Sequence, residues 1–165
     1  MPNWCENELI ITCNDPISFK KFIELSGIDK NNFKFNNIRP MPEKLRSISS
    51  GGICIDGVQY TNWYEKPGAD PVGIGSAEEE ELYHEYGAVN WYDWCCKYWG
   101  CKWDAKDVDY MGLDFDNREA HLYFSTAWSP PEELYDYIRL FYPGIDMNWF
   151  YKEPGLQFAG WLGTQ

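Results

Sequence analysis

The chain has 165 residues, 18% of them aromatic, and a net charge of −12. That length suits one domain with a sizeable core, and no apolar run nears the roughly 20 residues of a membrane span. The acid is uneven: residues 1–50 carry seven Lys/Arg against six Asp/Glu, residues 51–100 two against nine, and residues 101–165 five against eleven. The last two-thirds should therefore repel phosphate backbones and suit a basic partner, although acidity also keeps an aromatic-rich chain soluble.

Glu6 to Cys13 reads as a strand, with Leu9, Ile11 and Cys13 on one face and Glu6, Glu8 and Thr12 on the other. Asp15-Pro16 supplies an N-cap and a first-turn proline for a helix bearing Phe19, Phe22, Ile23 and Ser26, and Gly27 stops it. Residues 28–75 are punctuated by proline and glycine and read as irregular, with one short hairpin between Ile53 and Trp63. So long a loop in a small domain is expected to be mobile or functional.

Ser76-Ala77-Glu78-Glu79 has the form of a capping box, and the dipole of the helix it opens explains the acidic run without a metal. After Gly87, Trp91, Trp94, Cys95 and Tyr98 share one helical face and Tyr92, Cys96 and Trp99 form a second stripe, so this helix is expected to be sandwiched. Gly100 ends it. Met111, Leu113 and Phe115 alternate with polar residues, then Leu122, Phe124, Thr126 and Trp128 alternate with His121, Tyr123 and Ser125, which predicts an antiparallel hairpin turning at Asp116-Asn117. Ser129-Pro130-Pro131-Glu132 reads as a second capping box, before a helix burying Leu134, Tyr137, Ile138 and Phe141. Strands at Asp146–Lys152 and Gln157–Leu162 close the chain around a type II turn with Gly155 third. The expected fold is α+β: a ferredoxin-like antiparallel sheet with helices on one face, one domain over residues 1–165, and a long irregular insertion at about 40–80.

No catalytic constellation emerges. His84 sits among glutamates, and His121 lies in a strand without a nucleophile at recognisable spacing. Cys95, Cys96 and Cys101 lack zinc-finger spacing; Asp104, Asp107 and Asp109 lack the glycine and closing glutamate of a calcium loop; Gly73-Ile74-Gly75 lacks a third glycine. The six cysteines read as buried thiols, because the start MPNWCENELIITCND has no basic region before a long apolar run and the expected location is the cytoplasm.

MPNWCENELIIT at the start, WYDW to KWDA over residues 91–105, YFSTAWSPPEEL over residues 123–134 and FAGW over residues 158–161 resemble, in order and rough spacing, the YubB-like, phage Api-type ferredoxin-like domain family. The resemblance covers most of the chain except about residues 40–80, and Cys101 stands where many relatives have threonine. It implies a ferredoxin-like fold and a phage or conjugative-plasmid protein in a bacterial cytoplasm, and it carries no established activity.

In that setting the expected function is a small, acidic, non-enzymatic inhibitor or modulator docking on a host or mobile-element protein. A basic nucleic-acid-binding protein, such as a CRISPR-type antiviral-defence component, fits the charge best. No membrane partner, cofactor, metal or catalytic residue is assigned, and direct nucleic-acid binding is disfavoured. The candidate partner surface is Tyr60, Trp63 and Tyr64, as exposed anchors, with Glu78, Glu79, Glu80 and Glu81. One alternative is a nucleotide-signal sponge using Lys97, Lys102, Lys106 and Arg118. Another is a single-stranded nucleic-acid binder that stacks bases on an aromatic sheet face.

Overall fold

Trp4–Cys13 forms β1, whose odd-numbered residues Cys5, Asn7, Leu9, Ile11 and Cys13 are buried while the even ones face outward. The computed structural model describes residues 3–65 and 67–163. The chain divides into two compact units, one of residues 1–40 and 99–165 and one of residues 41–98.

In the first unit β1 leads into α1 (Pro16–Ser26). The Asp15 carboxylate accepts the Ser18 amide at 2.8 Å, and Gly27 ends the helix in the left-handed region at φ 81°. The Ser18 hydrogen bonds hold the Asp15 carboxyl below its ordinary range. The cap's stabilisation is therefore present above the ordinary carboxylate pKa and fades as pH falls through the lowered value. Asp15→Ala should lower the melting midpoint by a few degrees at neutral pH, and the difference should close in acid.

A 3-10 turn (Ile28–Lys30) and α2 (Phe35–Ile38) follow. The rest of the unit is β5 (Lys106–Asp114), β6 (Glu119–Ala127), α6 (Glu132–Phe141), β7 (Ile145–Glu153) and β8 (Phe158–Trp161). The five strands make one antiparallel sheet in the order β5-β6-β1-β7-β8. The first four strands in chain order, β1, β5, β6 and β7, give the ferredoxin-like arrangement, with β8 added at one edge. α1 packs on β1 and β7, and α6 on β7. Both cover the side of the sheet where Leu9, Leu122, Phe124 and Trp149 are buried. Phe33, Phe35, Phe124 and Trp149 interlock there through ring contacts of 5.4–5.9 Å.

The second unit departs from the irregular insertion that the sequence suggested. It contains α3 (Glu43–Arg46), β2 (Ile48–Ile55), β3 (Val58–Tyr64), β4 (Val72–Gly73), α4 (Ser76–Tyr86) and α5 (Trp91–Tyr98). β2, β3 and β4 form a three-stranded antiparallel sheet. Asp56-Gly57, both at positive φ, close the β2–β3 hairpin as a tight two-residue turn. α5 packs on α3 and β2. It buries Trp94 and Cys95, but Tyr92 of the second stripe is exposed and Trp99 falls beyond the helix, so α5 is not apolar on two sides.

Other expectations are corrected by competing local bonds. Neither capping box forms: Gly75 and Pro131 occupy the cap positions without side-chain bonds. The Ser129 hydroxyl donates instead to the Gly100 carbonyl at 2.7 Å. Two irregularities in β5 shift its alternation, leaving Met111, Leu113 and Phe115 exposed. α6 buries Tyr135, which meets Trp149 edge to face, and leaves Phe141 exposed. In the β7–β8 turn the positive φ falls at Gln157, not Gly155, because the buried Glu153 carboxylate gathers the amides of Gly155 and Leu156. None of the six cysteines is in a disulfide, and Cys54 is exposed rather than buried.

Candidate functional site

The residues singled out from the sequence meet inside the second unit, but as structure more than as open surface. Tyr60, Trp63 and Tyr64 are half-buried rather than exposed anchors. The Tyr60 ring lies so close over Gly73 that no Cβ would fit there. The Tyr64 hydroxyl donates to Glu78 Oε1 at 2.7 Å. Burial first, and then that carboxylate, push the phenol up to about 12, so it stays a donor at any working pH.

Glu79 is engaged as well. Its Oε1 accepts from Asn62 Nδ2 at 2.7 Å and from the Thr61 hydroxyl at 3.3 Å. Asn62 Oδ1 in turn accepts from Asn90 Nδ2 at 2.7 Å, and Asn90 Oδ1 caps α5 through the Asp93 amide at 2.8 Å. This buried amide chain ties α4, β3 and α5 together, and it explains why Glu79 does not turn back to cap its own helix. Of the acidic run, Glu80 and Glu81 stand exposed.

Trp63 lines an open cleft of about 620 Å³ with Arg46, Ile53, Glu65 and Pro67. It is half in the body of the unit and half against solvent, neither the exposed anchor expected from the sequence nor a core residue. Trp63→Ala should cost about 1–2 kcal/mol in thermal or urea melts, less than a core tryptophan. A loss of about 4 kcal/mol or more would make it a core residue.

The cations proposed for a nucleotide are divided between the two units. Lys97, in the second unit, donates to the Gly87 carbonyl at 2.8 Å and lies over the Tyr83 ring. In the first unit, Lys102 lies over Trp103, Lys106 opens β5, and Arg118 donates to the Cys13 carbonyl at the far end of the β5–β6 hairpin. The calcium-like aspartates separate too: Asp104 is drawn off to accept the amides of Phe35 and Asn36 and so caps α2. Burial pushes its carboxyl up, against the pull of those amides. His84 is exposed near the end of α4.

A second surface entered the sequence reading only as an aromatic sheet face with no residues assigned to it. The face of the five-stranded sheet away from α1 and α6 carries a continuous cross-strand row: Asp109 on β5, Tyr123 on β6, Glu8 on β1, Phe150 on β7 and Trp161 on β8. Glu8 Oε1 accepts from the Tyr123 hydroxyl at 2.7 Å and pairs with His121 Nε2 at 2.9 Å. The Phe150 and Trp161 rings meet at 5.0 Å, and those of His121 and Tyr123 at 5.1 Å. The row on one side holds Lys106, Ser125, Glu6 and Lys152, with Glu6 and Lys152 paired at 2.9 Å; the farthest row on the other side holds Asp114, Glu119, Thr12 and Asp146. Alternation in β1 and β6 marks Glu8, His121 and Tyr123 as outward residues, but only the strand order and register reveal that they form one line.

Residues 98–162 match the model of a family described as a ferredoxin-like domain in Api92-like protein. The matched stretch holds β5, β6, α6, β7 and β8, and its strands take ferredoxin-like positions around β1. No curated protein and no solved structure matches the chain. Among the described residues, no helix is long and apolar enough to cross a membrane.

Proposed function

We propose that this protein is a small, non-catalytic, acidic binding protein that docks on a basic macromolecule and inhibits or modulates it. The observation that carries the reading is the distribution of charge. Residues 41–98 hold ten Asp/Glu against four Lys/Arg, and residues 1–40 with 99–165 hold sixteen against ten, so both units of the fold are acidic. Exposed acid of this kind speeds encounter with a cationic groove and competes with phosphate there. The likeness to an Api-type ferredoxin-like domain, together with the YubB-like pattern of the sequence, favours a phage or plasmid setting. A nucleic-acid-binding protein of the bacterial host, including a component of an antiviral-defence system, is then the fitting target.

The test is affinity capture of the tagged chain from bacterial lysate at low and high salt, read by mass spectrometry. A single dominant basic protein, released by salt, supports the reading. Capture that is indifferent to salt would sink it, because docking through charge must weaken as the ions are screened. Stacking of nucleic-acid bases on the open sheet face has the rings of Tyr123, Phe150 and Trp161 in its favour, but the carboxylates among them oppose phosphate.

A further inference from the structure

We propose that the open face of the five-stranded sheet, along the row Asp109–Tyr123–Glu8–Phe150–Trp161, binds an extended, arginine-bearing segment of a basic protein. This rests on the docking reading above and gives it a site. Across that face the carboxylates Glu6, Glu8, Asp109, Asp114, Glu119 and Asp146 outnumber the cations Lys106 and Lys152. Inside that acid the row alternates carboxylate and ring: acid, tyrosine, acid, phenylalanine, tryptophan. A guanidinium suits the pattern better than an ammonium does, since its flat, weakly hydrated face stacks on rings while its edge pairs with a carboxylate. Phosphate has the wrong sign for it.

The geometry at Glu8 agrees. Both of its hydrogen bonds fall on Oε1, so Tyr123 and His121 fix the carboxylate while Oε2 takes no bond among the described residues. Its side chain is 31% accessible, and Tyr123 and Trp161 are 38% and 48% exposed. The site is therefore preorganised and open, with rigid aromatic side chains that lose little freedom on binding.

Spacing adds a register. Asp109 and Glu8 stand two strands apart, roughly 9.6 Å at ordinary strand separation. A polyproline II segment crossing the strands rises about 3.1 Å per residue, so arginines three apart meet both acids. The segment expected is thus R-x-x-R in an extended, proline-tolerant context.

The test uses the full chain and a labelled R-P-P-R peptide, followed by fluorescence polarisation at low and high salt. The same peptide with lysines and a labelled oligo-dT are the comparators. The expected result is salt-sensitive binding of the arginine peptide, several-fold tighter than the lysine peptide, with no binding of oligo-dT. Glu8→Gln and Tyr123→Ala should each weaken it about tenfold, the size of a moderate hot spot. Tyr123→Phe, which keeps the ring and drops the hydroxyl, should retain most of the affinity, and melting curves confirm that each variant folds. If Glu8→Gln and Tyr123→Ala bind like the parent while Glu80→Gln with Glu81→Gln loses the peptide, the sheet face is overturned, and acidic docking survives on the second unit. Tighter binding of oligo-dT than of the peptide overturns both readings. Failure of the peptide to bind at low salt overturns this one, leaving the docking reading to the capture experiment.

Discussion

Trp149→Ala should cost about 5 kcal/mol of unfolding free energy in urea denaturation, a large share of what a domain this size possesses. Trp149 is 1% exposed and stands on β7 beside the central strand. Its ring meets Phe124 at 5.6 Å and Tyr135 at 6.3 Å, both edge to face, so truncation opens a cavity between sheet and helix. The second part of the loss is polar. The indole N–H donates to Asn7 Oδ1 at 3.1 Å, while Asn7 Nδ2 donates to the Cys5 carbonyl and the Thr126 hydroxyl. Asn7 is 1% exposed, and removing its donor strands a buried acceptor. Trp149→Phe separates the two parts: it keeps most of the volume and should lose only about 1–3 kcal/mol. A Trp149→Ala loss below about 2 kcal/mol would mean that this side of the sheet is not the core.

Gly27→Ala should be nearly as damaging, at about 3 kcal/mol or more, although it adds one methyl group. The φ of 81° alone disfavours alanine by about 1–2 kcal/mol. The new Cβ would also sit 2.4 Å from the Asn32 carbonyl oxygen. That carbonyl cannot swing aside, because Asn37 Nδ2 donates to it and to the Ser26 carbonyl, and the Asn32 amide donates back to Gly27. Gly57 provides the contrast: its φ is also 81°, but nothing lies within 4 Å of an added Cβ. Gly57→Ala should therefore show the conformational cost alone, about 1 kcal/mol. Equal losses at the two positions would remove the steric argument.

The first unit was largely legible because its signals are local. β1 and β6 alternate, Asp15-Pro16 and Gly27 bracket α1, and the spacing of Leu134 and Ile138 exposes α6. What failed there was competition for atoms. A Ser-x-x-Glu pattern does not say that Gly100 will take the Ser129 hydroxyl, or that Asn62 will take Glu79. The second unit was read poorly because its sheet hides from pattern. ISSGGICI, the sequence of β2, alternates nothing, and β3 has three aromatics in seven residues whose roles depend on the strands beside them. The candidate surface suffered for the same reason: Tyr64 and Glu78 were both singled out, but nothing in the sequence says they bond to each other. The sheet-face row was invisible for a different reason, since its five members come from five strands and only pairing aligns them.

The place of β1 has a consequence for how the chain is made. It is the middle strand of its sheet, but its neighbours β6 and β7 begin at residues 119 and 145. A ribosome delivers the whole of residues 41–98, a compact unit in the finished fold, before either neighbour exists. Throughout that interval a ten-residue strand, with a face apolar but for Asn7 and two unsatisfied edges, waits for partners more than a hundred residues away. Such a nascent chain depends on shielding until its last third emerges, and its yield in cells should follow chaperone supply more closely than its final stability.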